Sequence, residues 1–144
     1  MLDLVMSSFS EGKFSTNQNF GKDIREIVNI EDIPIYFDKP LWFRVEQDDI
    51  CLDIFLYLRK SSKLYVLGQD ALLEGRNELP YFYRSKWFTD LDDGSFITFN
   101  DPTLYLDRSL LGGWWQLSGS IELAKRFVHN LSKKIYVEER NIVC

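Results

Sequence analysis

Histidine occurs once in these 144 residues, cysteine and methionine twice each, and proline four times. One histidine, His129, and two distant cysteines, Cys51 and Cys144, are too few for a closed zinc site of the usual four-ligand kind. No metal or other cofactor is therefore expected. Two cysteines also give no disulfide framework. Cys51 lies inside an apolar strand and reads as a small buried hydrophobe. No Gly-x-Ser-x-Gly elbow, Walker loop or dinucleotide fingerprint is present. Lysine and arginine are scattered and the net charge is −5, so nucleic acid is not an expected partner. Nothing approaches the roughly 18–20 apolar residues needed to span a bilayer. No basic amphipathic segment suggests a membrane surface. The N-terminus has an early acid and no basic n-region, unlike a signal peptide. These absences point to a cytoplasmic, reducing setting.

Aromatic residues are plentiful: 11 Phe, 7 Tyr and 4 Trp make up 15% of the chain, within 45% hydrophobic residues overall. A globule of this length can bury roughly 68–70% of its unfolded surface, so one substantial core is expected. Residues 1–40 read as a polar arm and edge elements. Residues 7–23 are rich in Ser, Asn and Gly, and Asp23 to Val28 has room for one helical turn. Ile33–Phe37 is a short strand candidate that Pro34 and Pro40 keep at an edge or outside the sheet. Strands are predicted near 41–46, at 51–58, at 63–67 and at 96–99. The polar turn Arg59–Ser62 implies an antiparallel hairpin between 51–58 and 63–67. A helical turn is expected to end near Asp90. Leu123, Ala124, Phe127, Val128, Leu131 and Ile135 share one face of a predicted helix, 121–135, with Ser118 or Ser120 as its cap and Glu122 in its first turn. Asn141–Cys144 then reads as a last parallel strand. Strand, crossover helix and strand make an α/β sheet, and the crossover should be right-handed.

Candidate chemistry is sparse. His129 falls away from the apolar stripe, beside Lys125, Arg126, Ser132 and Lys133, and reads as solvent-facing. Asp48-Asp49 and Asp92-Asp93 have the composition of turns. Asp101 ends the strand 96–99, where functional groups of open α/β sheets gather, although an Asx-type turn or loop brace before Pro102 is the favoured account of it. Trp114 and Trp115, with Tyr105 nearby, offer a sugar or acyl platform or else the packing of a long loop. Adjacent tryptophans on an irregular segment are expected to point in different directions, one buried and one outward.

Four stretches carry a resemblance. They are Leu64-Tyr65-Val66-Leu67 followed by Gln69-Asp70-Ala71-Leu72, then Glu78-Leu79-Pro80-Tyr81-Phe82, then Phe96 through Leu106 with its Asp101-Pro102-Thr103-Leu104, and Leu111-Gly112-Gly113-Trp114. From Leu64 to Cys144 the chain resembles a bacterial group of α/β-hydrolase-like proteins associated with capsular and surface-glycan biosynthesis, among them glycan O-acetyltransferases and esterases. The resemblance implies the N-terminal half of an α/β-hydrolase-like sheet, residues 41–144, with antiparallel strands followed by parallel ones. It implies acyl or glycan binding near Gln69, Asp70, Asp101, Tyr105, Trp114 and Trp115. Two departures matter. The family tends to carry His-Gly or Asn-Gly where this chain has Gln69-Asp70, and a carboxylate there has the wrong sign for holding an oxyanion. The family's nucleophile elbow and catalytic histidine come after the strand corresponding to Asn141–Cys144.

The leading expectation is a truncated hydrolase-like protein, inactive alone. The open edge at 141–144 suggests self-association or a protein partner. The alternatives are a small acidic binding protein of the immunity or adaptor kind that docks a basic partner, and an enzyme using Asp101 with a second carboxylate.

Overall fold

The computed structural model describes residues 27–68, 79, 80, 82, 84–107 and 109–144. Its described part is an α/β arrangement, a mixed six-stranded sheet with one α-helix. The strands are β1 (Ile27–Val28), β2 (Pro40–Gln47), β3 (Ile50–Tyr57), β4 (Leu64–Leu67), β5 (Ser95–Phe99) and β6 (Ile142–Val143). The helix, α1, is Ser120–Lys134. Strands lie in the order β1-β2-β3-β5-β4-β6. Only β3 runs against the others.

Local chemistry explains the hairpin β2–β3. Asp48 and Asp49 both have positive φ, 52° and 64°, as a primed two-residue turn requires and as Asp tolerates better than most side chains. That turn sets the register, pairing Gln47 with Ile50 and, three steps on, Arg44 with Asp53. Alternation then sorts the side chains. Phe43, Val45, Leu52, Ile54 and Leu56 join Ile97 and Phe99 on the face that α1 covers through Leu123, Phe127 and Leu131. Trp42, Phe55 and Phe96 point to the other face, under Leu79, Phe82, Leu104 and Tyr105.

The expected hairpin between 51–58 and 63–67 does not form, because β5 lies between β3 and β4. Buried Ser95 holds the two strand ends apart. Its Oγ accepts from the Arg59 amide at 3.0 Å, and its own amide donates to the Lys63 carbonyl at 2.9 Å. The link from Leu58 to Leu64 has to cross two strand spacings, roughly 10 Å, which a few residues manage easily. Strand β6 is parallel to β4 and reaches the sheet through Ile142 and Val143 alone, with Asn141 in a 3-10 turn; it does not neighbour β5.

Three local expectations also change. Ile27–Val28 is extended and pairs in parallel with Arg44 and Val45, while residues 23–26 of the anticipated helical turn lie outside the described residues. Ile33–Phe37 is no strand; only Phe37 bridges, to Leu58, before Asp38 turns the chain at φ 61°. Helix α1 is capped by Gly119 at φ 86°, and Ser120 is its first helical residue, its Oγ donating to the Trp115 carbonyl. Glycine suits Gly119 doubly, since a Cβ there would come within 3.0 Å of Ile50 Cδ1. At the other end Tyr136 takes φ 57° and the Val137 amide returns to the Ser132 carbonyl, a left-handed stop of the Schellman kind. The turn near Asp90 is present as a 3-10 helix, Ser85–Thr89. Arg59 anchors it, donating to the carbonyls of Phe88, Leu91 and Gly94. Among the described residues no helix is long and apolar enough to cross a membrane.

Candidate functional site

Strands β4 and β5 are adjacent and parallel. The described parts of 79–91 lie on the Phe55 face and α1 on the Phe99 face. Open sheets bind ligands in crevices beyond the carboxyl ends of their parallel strands, here past Leu67 of β4 and Phe99 of β5.

Asp101 organises this crevice. It is buried directly after β5 and Asn100, and it caps the 3-10 helix Pro102–Tyr105. Its Oδ1 accepts from the Thr103 amide at 2.9 Å and its Oδ2 from the Trp115 amide at 2.7 Å. Thr103 Oγ1 accepts from the Leu117 amide at 2.9 Å. Two side chains from the end of β5 thus hold the loop before α1. Gly113 allows the approach, because a Cβ there would fall 2.5 Å from Asp101 Oδ2 and 2.7 Å from Thr103 Cβ. Trp114 and Trp115 both sit at positive φ, 52° and 55°. Bulky residues rarely adopt that region, at a cost on the order of 1–3 kcal/mol each, and such strain concentrates where a side chain must be aimed.

The two rings diverge. Trp114 is 77% exposed, whereas Trp115 is half-buried and packs edge-on against Phe99, ring centres 6.2 Å apart. The Trp115 Nε1 also lies 3.7 Å from where a Cβ on Gly68 would stand, so this ring closes the space between the ends of β4 and β5. Below it a cavity of about 870 Å³ runs between α1 and the sheet, floored by Val66 and Ile142. Its helix wall is Ile121, Ala124, Lys125, Val128, His129, Ser132 and Lys133. The remaining lining includes Val137, Glu139 and Cys144.

Compared with known proteins, the chain matches no family model, no curated protein and no solved structure.

Of the residues singled out from sequence, Asp101 and Trp115 meet through a hydrogen bond at the crevice, and Trp114 stands beside them facing outward. Tyr105 is on the other side of the sheet. Its ring is buried and its hydroxyl donates to Asp53 Oδ2 at 2.6 Å. Gln69 and Asp70 lie outside the described residues. His129 is exposed on the rim of the cavity.

Sequence reading missed the charged cluster under Tyr105. Arg44 Nε donates to Asp53 Oδ1 at 2.9 Å, and Arg44 also pairs with Glu46, Nη1 to Oε1 3.6 Å. Cys51 Sγ lies 3.8 Å from the same Glu46 oxygen. Burial pushes the Asp53 carboxyl up from its ordinary value, while Arg44 and the Tyr105 hydroxyl act against that. Tyr105 is raised well above a free phenol by burial and then by the Asp53 charge. Burial, with Glu46 beside it, pushes the Cys51 thiol up to about 12. A signal for this cluster existed: Asp53 is the one acid in an otherwise apolar strand, and the Asp48-Asp49 turn places Arg44 opposite it. Among the described residues no three His, Cys, Asp or Glu side chains gather into a metal-holding group.

Proposed function

We propose that the protein is hydrolase-like, related to glycan acyltransferases and esterases, and holds an acyl or glycan ligand at the carboxyl ends of β4 and β5 without turning it over by itself. The observation that carries this reading is the Trp115 ring, held by Asp101 at the carboxyl ends of those two parallel strands. An aromatic face beside an apolar cavity suits a sugar ring or an acyl chain. Asp101 spends both oxygens on backbone amides, so its role is positioning. The only histidine, His129, has no side-chain hydrogen bond among the described residues, and a general base needs a fixed partner.

The test is p-nitrophenyl acetate hydrolysis alongside tryptophan fluorescence titrated with O-acetylated oligosaccharides. No turnover above the buffer rate, together with saturable quenching lost in Trp115→Leu, is the expected result. Turnover abolished by Asp101→Asn would instead establish an enzyme using that carboxylate. Strand β6 belongs to the same reading. It lies last in the strand order, and Val143 is 43% exposed, a surface suited to a second copy or a protein partner. A clean monomer in sedimentation at tens of micromolar would exclude self-association there. A second reading, an acidic adaptor docking a basic partner, rests on the net charge of −5.

A further inference from the structure

Helix α1 carries more apolar surface than the sheet covers. Leu123, Phe127 and Leu131 are buried, but Ala124 and Val128, on the flank toward β6, are only half-buried, and Ile121 is 43% exposed. Opposite them Val66 and Ile142 are likewise half-covered, although parallel strands ordinarily have both faces buried. Together they form the two walls of the cavity described above.

We infer that this trench takes an amphipathic α-helix of a partner polypeptide, its apolar stripe on Val66, Val128 and Ile142 and its acidic flank along Lys125, His129 and Lys133. The trench is the cavity that the acyl and glycan reading uses beneath Trp115, so a helix and an acyl chain would exclude one another there. Three observations select the occupant. Both walls present side chains rather than unpaired backbone, so whatever fills the trench must satisfy its own amides and carbonyls, as a helix does. The small Ala124 side chain permits the roughly 8–10 Å approach of packed helices. The third is charge. In a chain of net charge −5, two lysines, Lys125 and Lys133, stand on this rim with His129 between them, against one lining glutamate, Glu139. No ion pair holds Lys125 or Lys133 among the described residues. Eight residues of helix span about 12 Å, more than one carboxylate head group can neutralise. A second copy related by a twofold axis would bring the same cations together, a repulsive arrangement.

Fluorescence anisotropy of labelled 18-residue helical peptides tests this, one built from Leu and Glu and its counterpart from Leu and Lys. The acidic peptide should bind saturably and the basic one should not. Lys125→Glu with Lys133→Glu, both at exposed positions and checked for folding by circular dichroism, should weaken the acidic peptide at least tenfold and admit the basic one. Val128→Asp should abolish both. Absent binding of the acidic peptide, equal binding of the two peptides, or indifference to the double charge reversal would overturn the inference. So would decanoate saturating the trench where the peptide does not, or a dimer that Val128→Asp dissolves without any peptide binding. Although Trp115 lines the same cavity, the two ideas fail separately: acidic-peptide binding without oligosaccharide quenching at Trp115 refutes the glycan reading alone, and quenching without peptide binding overturns this inference alone.

Discussion

Replacing Arg44 with methionine is the most informative single perturbation of this protein. Asp53 is fully buried, at 0% exposure, and its charge is met by one guanidinium and one phenol. Arg44→Met removes the guanidinium and leaves the phenol alone to stabilise a carboxylate out of water. Breaking a buried pair in this way costs about 3–5 kcal/mol. That is a large part of the ~5–15 kcal/mol that holds a domain together. Removing both partners behaves differently. Arg44→Met with Asp53→Leu and Tyr105→Phe deletes the charges and the phenol that answers them, so the combined variant should recover most of the loss or exceed the parent by about 1–4 kcal/mol. The pH dependence has a definite sign. Without Arg44, burial raises the Asp53 carboxyl further above its unfolded value, so the folded variant holds the proton more tightly than the unfolded chain. Its stability is full below the unfolded value of about 3.9 and falls as pH rises through the folded value, by up to about 1.4 kcal/mol per pH unit. Urea unfolding followed by circular dichroism at about pH 4 and about pH 8 measures both effects, the second as a deficit larger at the higher pH. A single variant within about 1 kcal/mol of the parent, or a deficit equal at the two pH values, would refute the reasoning.

Other expectations concern different parts of the molecule. Asp101→Ala strands two amides and should cost about 2–4 kcal/mol, with a change in near-ultraviolet dichroism as the Trp115 loop loosens. Gly113→Ala drives a methyl group into Asp101 and should cost about 1–3 kcal/mol or more in the same unfolding assay. Phe127→Ala empties the contact with Phe43 and Phe99 and should cost about 3–5 kcal/mol, with the urea midpoint shifted and the slope unchanged. A thiol reagent at about pH 8 should find one cysteine in the native protein, exposed Cys144, and a second, Cys51, only in urea. Two rapidly reacting thiols in the native state would contradict the burial of Cys51.

The helix and five of the strands, β2 to β6, were legible because their signals are local. The stripe from Leu123 to Ile135 marks α1 to within a residue, and short apolar runs bounded by turn residues mark the strands. Pairing was less legible. A short polar link suggested that β3 and β4 are neighbours, but Ser95, over thirty residues later, holds their ends apart, and nothing local encodes that. The candidate site was half visible. Asp101 stood out at a strand end, yet its bond to the Trp115 amide depends on the Gly113 backbone approach. Tyr105 looked like part of a platform because its partner, Asp53, lies fifty-two residues away in sequence. The basic rim of the trench went unread because Lys125, His129 and Lys133 have the composition of any solvated helix face. Only the position of Val66 and Ile142 gives them a role.

The insertion of β5 between β3 and β4 also constrains how the chain emerges from a ribosome. The β2–β3 ribbon can close as soon as residue 57 is free, whereas β4 finds its first neighbour only when residues 95–99 appear. For the intervening stretch of synthesis, one rim of β3 and both rims of β4 are bare, and non-local pairings of this kind are the slow ones to form. The nascent polypeptide therefore passes through a window in which ribosome-associated chaperones have an aromatic, hydrogen-bond-hungry surface to shield.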